Sequence, residues 1–158
     1  MSKSEAGYGN GRELVHGRTF HAPRDLVWKA WAEREHIERW WGPNGFSTTT
    51  HEMRFEEGGR WSFVMHGPDG VDYPNEITYE VIDPPRRIVY SQGGGKEGVP
   101  VQFRTTVSFI EHAGDTEVTM HLVFATNELR EKAVKVYRAE EGGRQTLARL
   151  GEHLATMT

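Results

Sequence analysis

A chain of 158 residues with a formal net charge of −4 and no cysteine is long enough for one domain with a buried core. The negative charge gives no electrostatic basis for binding nucleic acid, and no basic run with interleaved aromatic residues is present. Without cysteine, disulfides and thiolate metal sites are excluded, and no apolar run approaches the roughly 20 residues of a membrane span.

The N-terminal part of the chain predicts one strand and two short helices. Met1–Gly11 is polar and glycine-rich, so we expect a flexible tail before a single domain at residues 12–158. Glu13–His21 alternates weakly with a period of two and predicts the first strand. Pro23 to about Arg34 predicts a short helix, and Glu35–Trp41 predicts a second one that Gly42-Pro43 ends.

The middle of the chain changes to a period of two, which indicates strands. Turns rich in glycine and proline separate these strands, and we expect a flexible loop at Gly93–Gly98. Each strand has one apolar and one polar face, which favours an antiparallel sheet with one side exposed to water. The predicted strands are Phe46–Phe55, Arg60–His66, Glu76–Ile82, Arg87–Ser91, Val101–Phe109 and Glu117–Phe124.

The last stretch, Asn127–Thr158, has the spacing of a long helix that covers the dry face of the sheet. Its stripe comprises Leu129, Ala133, Val136, Glu140, Gly143, Leu147, Leu150 and Leu154. The centre of the stripe is a carboxylate and a glycine, with Gly142 beside them, although each helical glycine costs roughly 1 kcal/mol relative to alanine. We expect a kink that joins two shorter helices at Gly142-Gly143, and the missing side chains favour a cavity at that point.

Six short motifs are spread along the chain: Ala22-Pro23 with Trp40-Trp41-Gly42-Pro43, Gly58-Gly59-Arg60-Trp61, Gly67-Pro68-Asp69-Gly70, Tyr79–Tyr90, Gly114–Thr119, and Gln145-Thr146-Leu147. Together they resemble the domain of the Hsp90-ATPase-activator homologues (AHSA1 type), a family of the START/Bet v 1-like superfamily (SRPBCC). The resemblance implies an α+β helix-grip fold, in which a curved antiparallel sheet of six to seven strands wraps around a long C-terminal helix. It also implies two short helices after the first strand, and an apolar cavity. Members often carry Gly-Trp where this chain has Gly143-Arg144.

Alternating aromatic residues on the predicted strands could line such a cavity, with ordinary core packing as the alternative. Glu76 and Glu80 are further carboxylates that could meet a ligand, or they are solvated edge residues. Trp40 and Trp41 either gate the cavity or anchor the short helices. The ligand-binding residues that we predict are Trp61, Phe63, Met65, Tyr79, Phe103, Glu140, Gly143 and Leu147.

We expect neither a metal site nor a cofactor. The eight histidines include no pair at the H-x3-H spacing, and no cysteine supplements them. The chain also has no Gly-x-Ser-x-Gly elbow for a nucleophilic serine.

Three functions remain open. The favoured one is a carrier or sensor that binds a small hydrophobic molecule without catalysis. The alternatives are a cyclase- or hydrolase-like enzyme that uses a cavity carboxylate or His66, and an Hsp90-type co-chaperone regulator. We expect a cytoplasmic protein with no nucleic-acid partner and no membrane span, and a homodimer is left open.

Overall fold

The computed structural model describes residues 11–93 and 101–157, which form seven strands and four helices. Residues 1–10 of the expected tail and residues 94–98 of the expected glycine-rich loop lie outside the described residues. In chain order the elements are β1 (Glu13–Phe20), α1 (Arg24–Ala32), α2 (Arg34–Trp40), β2 (Ser47–Met53), β3 (Arg60–His66), β4 (Asp72–Asp83), β5 (Arg87–Gly93), β6 (Val101–His112), β7 (Asp115–Phe124), α3 (Asn127–Lys135) and α4 (Ala139–Leu154).

The seven strands form one antiparallel sheet in the order β1-β7-β6-β5-β4-β3-β2, so β1 and β2 are its edges. This agrees with the predicted helix-grip architecture. Strand β4 is longer than the predicted Glu76–Ile82 because it begins at Asp72 and includes Pro74. Pairing with β5 begins only at Ile77, so among the described residues no strand lies on the other side of Pro74. Proline is tolerated at such an edge position.

The inner face of the sheet carries a row of residues that lie opposite one another on five consecutive strands. Leu14 of β1 is opposite Leu122 of β7, which is opposite Thr105 of β6. Thr105 is opposite Tyr90 of β5, and Tyr90 is opposite Tyr79 of β4. All five side chains are buried, so the row runs through the core beneath the helices.

Three helices cover this inner face. Val27, Ala30 and Trp31 of α1 are buried, and the Trp40 indole N–H of α2 donates to the Ala30 carbonyl at 3.1 Å. Trp40 therefore anchors the two short helices to each other. On α4, the side chains of Leu147, Leu150 and Leu154 are buried against the sheet, as the apolar stripe predicts.

The predicted kink at Gly142-Gly143 is wrong, because both glycines lie inside α4. The C-terminal stretch breaks earlier, after α3 ends at Lys135, and Arg138 adopts a left-handed conformation with φ 53° before α4. Val136 and Tyr137 in this break are 63% and 64% exposed. The apolar stripe thus does not run continuously through Val136, although Leu129 and Ala133 of α3 still pack against the core.

Candidate ligand-binding site

Aromatic side chains line the inner face between the sheet and the helices. The Trp61 and Phe63 rings of β3 stack with their centroids 3.9 Å apart. Trp41, which directly follows α2, packs its ring against Trp61 at 5.1 Å, Phe63 at 6.3 Å and Tyr90 at 6.4 Å. Trp41 is only half-buried, so its ring forms the outer cover of this aromatic cluster.

Two buried hydroxyls on the inner face have no hydrogen-bond partner among the described residues. They belong to Tyr79 and Thr105, whose side chains are 2% and 0% exposed. Burial, with a smaller contribution from Tyr90, raises the pKa of Tyr79. Burial also raises the pKa of Tyr90 to about 12, and the adjacent Thr105 hydroxyl, which lies near the phenol without the geometry of a hydrogen bond, opposes that shift. Both phenols therefore stay neutral near pH 7 and can donate and accept hydrogen bonds.

An open cleft of about 390 Å³ lies where the N-terminal half of α4 crosses the edge strand β1. We name it the β1–α4 cleft, and its lining is partly polar and partly apolar. The lining residues are Val15, His16, Gly17, Arg18, Glu140, Arg144 and Leu147. A second pocket of about 530 Å³ near the α3–α4 break shares Glu140 and Arg144 with this cleft.

The imidazole of His16 occupies the space that Gly143 leaves. A Cβ atom at position 143 would lie 2.3 Å from the His16 Nε2 atom, which no real side chain permits. Gly143 is therefore needed for the His16 ring of β1 to pack directly on α4. Burial lowers the pKa of His16 below its ordinary value of 6.5, while the neighbouring Glu140 carboxylate opposes this shift.

Side chains of α4 also hold the segment that follows α2. The Arg149 guanidinium donates to the carbonyls of Trp41 at 3.3 Å, Gly42 at 2.9 Å and Pro43 at 3.1 Å. The Gln145 Oε1 atom accepts from the backbone N–H of Asn44 at 3.0 Å. These bonds fix the backbone that carries the Trp41 ring over the aromatic cluster.

A family model described as Activator of Hsp90 ATPase homolog 1-like protein matches residues 21–155. The chain belongs to the AHSA1 family. Among curated proteins, none matches the chain.

Solved structures of bacterial proteins share the fold of this AHSA1-family member. A protein of Nitrosomonas europaea is 23% identical and has a TM-score of 0.84, with 93% of this chain and 96% of that chain covered. A protein of Arthrobacter aurescens has the same identity of 23% and the same TM-score of 0.84, with coverages of 99% and 90%. A protein of Silicibacter pomeroyi described as AHSA1 is 21% identical, with a TM-score of 0.70 and coverages of 92% and 99%. At these identities the likeness concerns the fold alone.

The structure places the predicted ligand-binding residues of this AHSA1-family protein in two groups. Trp61, Phe63 and Tyr79 are buried on the inner face, and the less buried Met65 and Phe103 pack against the same core. Around the β1–α4 cleft lie Glu140, which is exposed, Leu147, which is buried, and Gly143 beneath the His16 ring. His16, Thr105 and Trp41 were not among the predicted ligand-binding residues, because only the strand register and the course of α4 bring them to these positions.

The other titratable candidates lie on the outer face of the sheet. His66 hydrogen-bonds Thr49 through Nε2 at 2.8 Å and Asp72 through Nδ1 at 2.8 Å. Glu80 binds the Arg104 guanidinium through both carboxylate oxygens, which lowers the pKa of Glu80. Glu76 forms an ion pair with Arg60 at 3.5 Å. These side chains therefore have polar partners away from the inner face.

Among the described residues, one group of metal-ligand residue types gathers at the start of α2, although the spacing of the histidines predicts no metal site. The ligand atoms of Glu33, Glu35 and His36 lie within 4.8 Å of one another, and Glu35 is exposed. The His36 Nδ1 atom is 2.9 Å from Nε2 of His153 on α4. Exposed acidic groups of this kind are common without an ion.

Of the helices in the described ranges, none has the length and apolar character that crossing a membrane requires.

Proposed function

We propose that this AHSA1-family protein binds a small, mainly apolar molecule between the inner face of the sheet and α4. The observation that carries the proposal is a pair of buried hydroxyls, on Tyr79 and Thr105, that have no hydrogen-bond partner among the described residues and lie in a mainly aromatic and aliphatic interior. A binding site of this kind typically combines an apolar lining with a few polar groups that orient the ligand.

The energetics favour an occupant with a polar atom. A buried hydroxyl without a partner costs about 1–3 kcal/mol relative to one that is hydrogen-bonded. Tyr79 and Thr105 belong to one row of the sheet and flank Tyr90, so both hydroxyls could bind the same ligand on the inner face. A ligand oxygen or N–H group there would remove this cost, while its apolar body would contact the surrounding rings. We therefore expect a molecule with one or two polar groups on an apolar frame.

The cover of the interior is suited to such binding. Trp41 lies over Trp61 and Phe63 but is itself only half-buried. Met65 is half-buried too, and its unbranched thioether side chain adapts readily to different neighbours. Small rearrangements of these two side chains would enlarge the interior without moving the sheet.

Fluorescence titration with two probes tests the proposal. N-phenyl-1-naphthylamine carries one N–H group, whereas diphenylhexatriene is a hydrocarbon of similar apolar character. We expect both probes to bind the parent protein saturably. The double variant Tyr79→Phe/Thr105→Val should bind the amine about fivefold more weakly, because one hydrogen bond of about 1 kcal/mol is lost, and the hydrocarbon equally well.

The matched control is Tyr73→Phe, which removes a phenol hydroxyl from an exposed position. This variant should bind both probes as the parent protein does. The absence of saturable binding of either probe to the parent protein would refute the proposed function. Equal binding of the amine to the double variant and the parent would remove the role of the two hydroxyls.

A further inference from the structure

We infer that the β1–α4 cleft is the entrance to the interior site, and that the His16 side chain closes this entrance against Gly143. The inference rests on the proposed function, because an entrance requires a molecule that binds inside. His16 lies two residues after the buried Leu14, on the same inner side of edge strand β1. The ring therefore lies between the open cleft and the covered inner face.

The Thr105 hydroxyl, which has no partner among the described residues, lies on the same inner face as His16, two strands away. His16 is opposite Met120 of β7, and the next inner residue of β7, Leu122, is opposite Thr105 of β6. Neighbouring strands lie about 4.8 Å apart, so β6 is about 10 Å from β1 across the sheet. A molecule that passes His16 thus reaches Thr105 along the inner face, without crossing the sheet.

Among the three glycines of α4, only Gly143 is required by its surroundings. A Cβ atom on Gly142 would lie 3.9 Å from Pro43, and one on Gly151 would lie 3.4 Å from the Phe20 ring, which are ordinary contacts. A Cβ atom on Gly143 would overlap the His16 ring. The glycine thus leaves a gap between helix and strand that a side chain fills. A side chain leaves such a gap by changing rotamer, whereas a packed helix has to move as a unit.

The ring is also held less firmly than the other cover of the interior. In the described part of the chain, the imidazole of His16 makes no hydrogen bond. The segment that carries Trp41, in contrast, is fixed by Arg149 through the carbonyls of Trp41, Gly42 and Pro43. Opening at Trp41 would break these charge-assisted bonds, whereas opening at His16 breaks only packing contacts.

The charged groups around His16 make the opening sensitive to pH. Glu140 and Arg144 of α4 and Arg18 of β1 line the cleft, and the facing β7 residue, Met120, is uncharged. Burial, partly opposed by Glu140, lowers the pKa of His16, so the ring is neutral in its closed position. Protonation at lower pH makes that position unfavourable, and the Glu140 carboxylate attracts the imidazolium into the cleft. Acid should therefore open the entrance.

Stopped-flow binding of N-phenyl-1-naphthylamine tests the entrance. In His16→Ala the obstacle is gone, so we expect association and dissociation to accelerate together by about tenfold, with little change in affinity. The exposed His51 on the opposite edge strand provides the control variant His51→Ala, which should keep the parent rates. Arg149→Met tests the alternative opening at Trp41 and should leave the rates unchanged.

Unchanged rates in His16→Ala would overturn the inference, and faster rates in Arg149→Met would place the entrance at Trp41 instead. Absence of saturable binding to the parent protein would refute the proposed function itself. If His16→Ala does not fold, the inference is tested by comparing the pH dependence of the association rate in the parent protein and in His16→Phe. Phenylalanine keeps a ring on Gly143 that cannot be protonated. The parent rate should rise between about pH 7.5 and about pH 5.5 and the His16→Phe rate should not. An equal pH dependence in the two proteins would overturn the inference.

Discussion

Replacing Thr105 by valine exchanges an unpartnered buried hydroxyl for a methyl group of nearly the same size. Thr105 is 0% exposed and its hydroxyl has no hydrogen-bond partner among the described residues. Valine has a similar preference for strands, so the backbone should be unaffected. Because an unpartnered hydroxyl costs about 1–3 kcal/mol, Thr105→Val should raise the free energy of unfolding of the ligand-free protein by up to that amount.

Thr116 provides a matched control for this substitution. It is also 0% exposed on the inner face, but its hydroxyl donates to the Ala22 carbonyl at 2.8 Å. Thr116→Val removes this bond and leaves a buried carbonyl unpaired, so it should lower the free energy of unfolding by about 1–3 kcal/mol. The same chemical change is thus expected to have opposite signs at two sites of one sheet.

Urea denaturation of protein refolded without ligand measures both variants. With an m-value of about 1–3 kcal/mol/M, each effect shifts the midpoint by roughly 1 M, in opposite directions. A loss of stability in Thr105→Val as large as that in Thr116→Val would mean that the Thr105 hydroxyl is satisfied in the ligand-free protein. In that case it would not be a free group for a ligand.

Gly143→Ala should destabilise the protein because its Cβ overlaps the His16 ring, and adding His16→Ala should restore most of the lost stability. Gly151→Ala should be neutral or stabilising by up to about 1 kcal/mol. Urea denaturation measures the three single variants and the double variant. Leu150→Ala should cost about 2–5 kcal/mol in the same assay, since Leu150 is fully buried on α4, and a cost within error would mean that this face of α4 is not packed. Burial lowers the pKa values of His16 and His153 from 6.5, so the unfolded chain binds more protons and stability should fall as pH drops below about 6.5. Thermal denaturation at a series of pH values measures this dependence. In His16→Gln the melting temperature should fall less steeply with pH, and an unchanged pH dependence would contradict the burial of a neutral ring.

Local patterns were enough to predict the sheet. The alternation of Trp61, Phe63 and Met65 with residues of the other face needs no knowledge of distant residues, and β3 has the predicted bounds Arg60–His66. The burial of Leu147 and Leu150 on the helix also follows from local spacing. Such patterns work because a side chain's face in a strand or helix depends only on its position along that element.

The break in the C-terminal stretch could not be located in this way. Glycine lowers helix propensity, so Gly142-Gly143 indicated the kink, whereas the chain breaks at Arg138 in a left-handed conformation that arginine rarely adopts. Contacts of α4 with the rest of the protein outweigh the propensity of its glycines. The stripe did mark Gly143 as unusual, but its neighbour, His16, belongs to the first strand and is identified only by the packing of α4 on β1.

Only part of the candidate site could be predicted, because the rest depends on contacts between residues that are distant in the sequence. Aromatic residues of the inner face follow from alternation, but the unpartnered state of Tyr79 and Thr105 depends on which hydroxyls the strand register brings together. A threonine in a strand reads as an ordinary β-branched residue. Its hydrogen-bonding state is a property of the assembled sheet, as the contrast between Thr105 and Thr116 demonstrates.

Native mass spectrometry with added N-phenyl-1-naphthylamine tests the central claim, a ligand site between the sheet and α4, most directly. For the parent protein we predict one adduct of a single probe molecule that saturates as the probe concentration rises, and that weakens in Tyr79→Phe/Thr105→Val. The bare chain alone at every concentration, or a growing series of adducts without saturation, would contradict the claim.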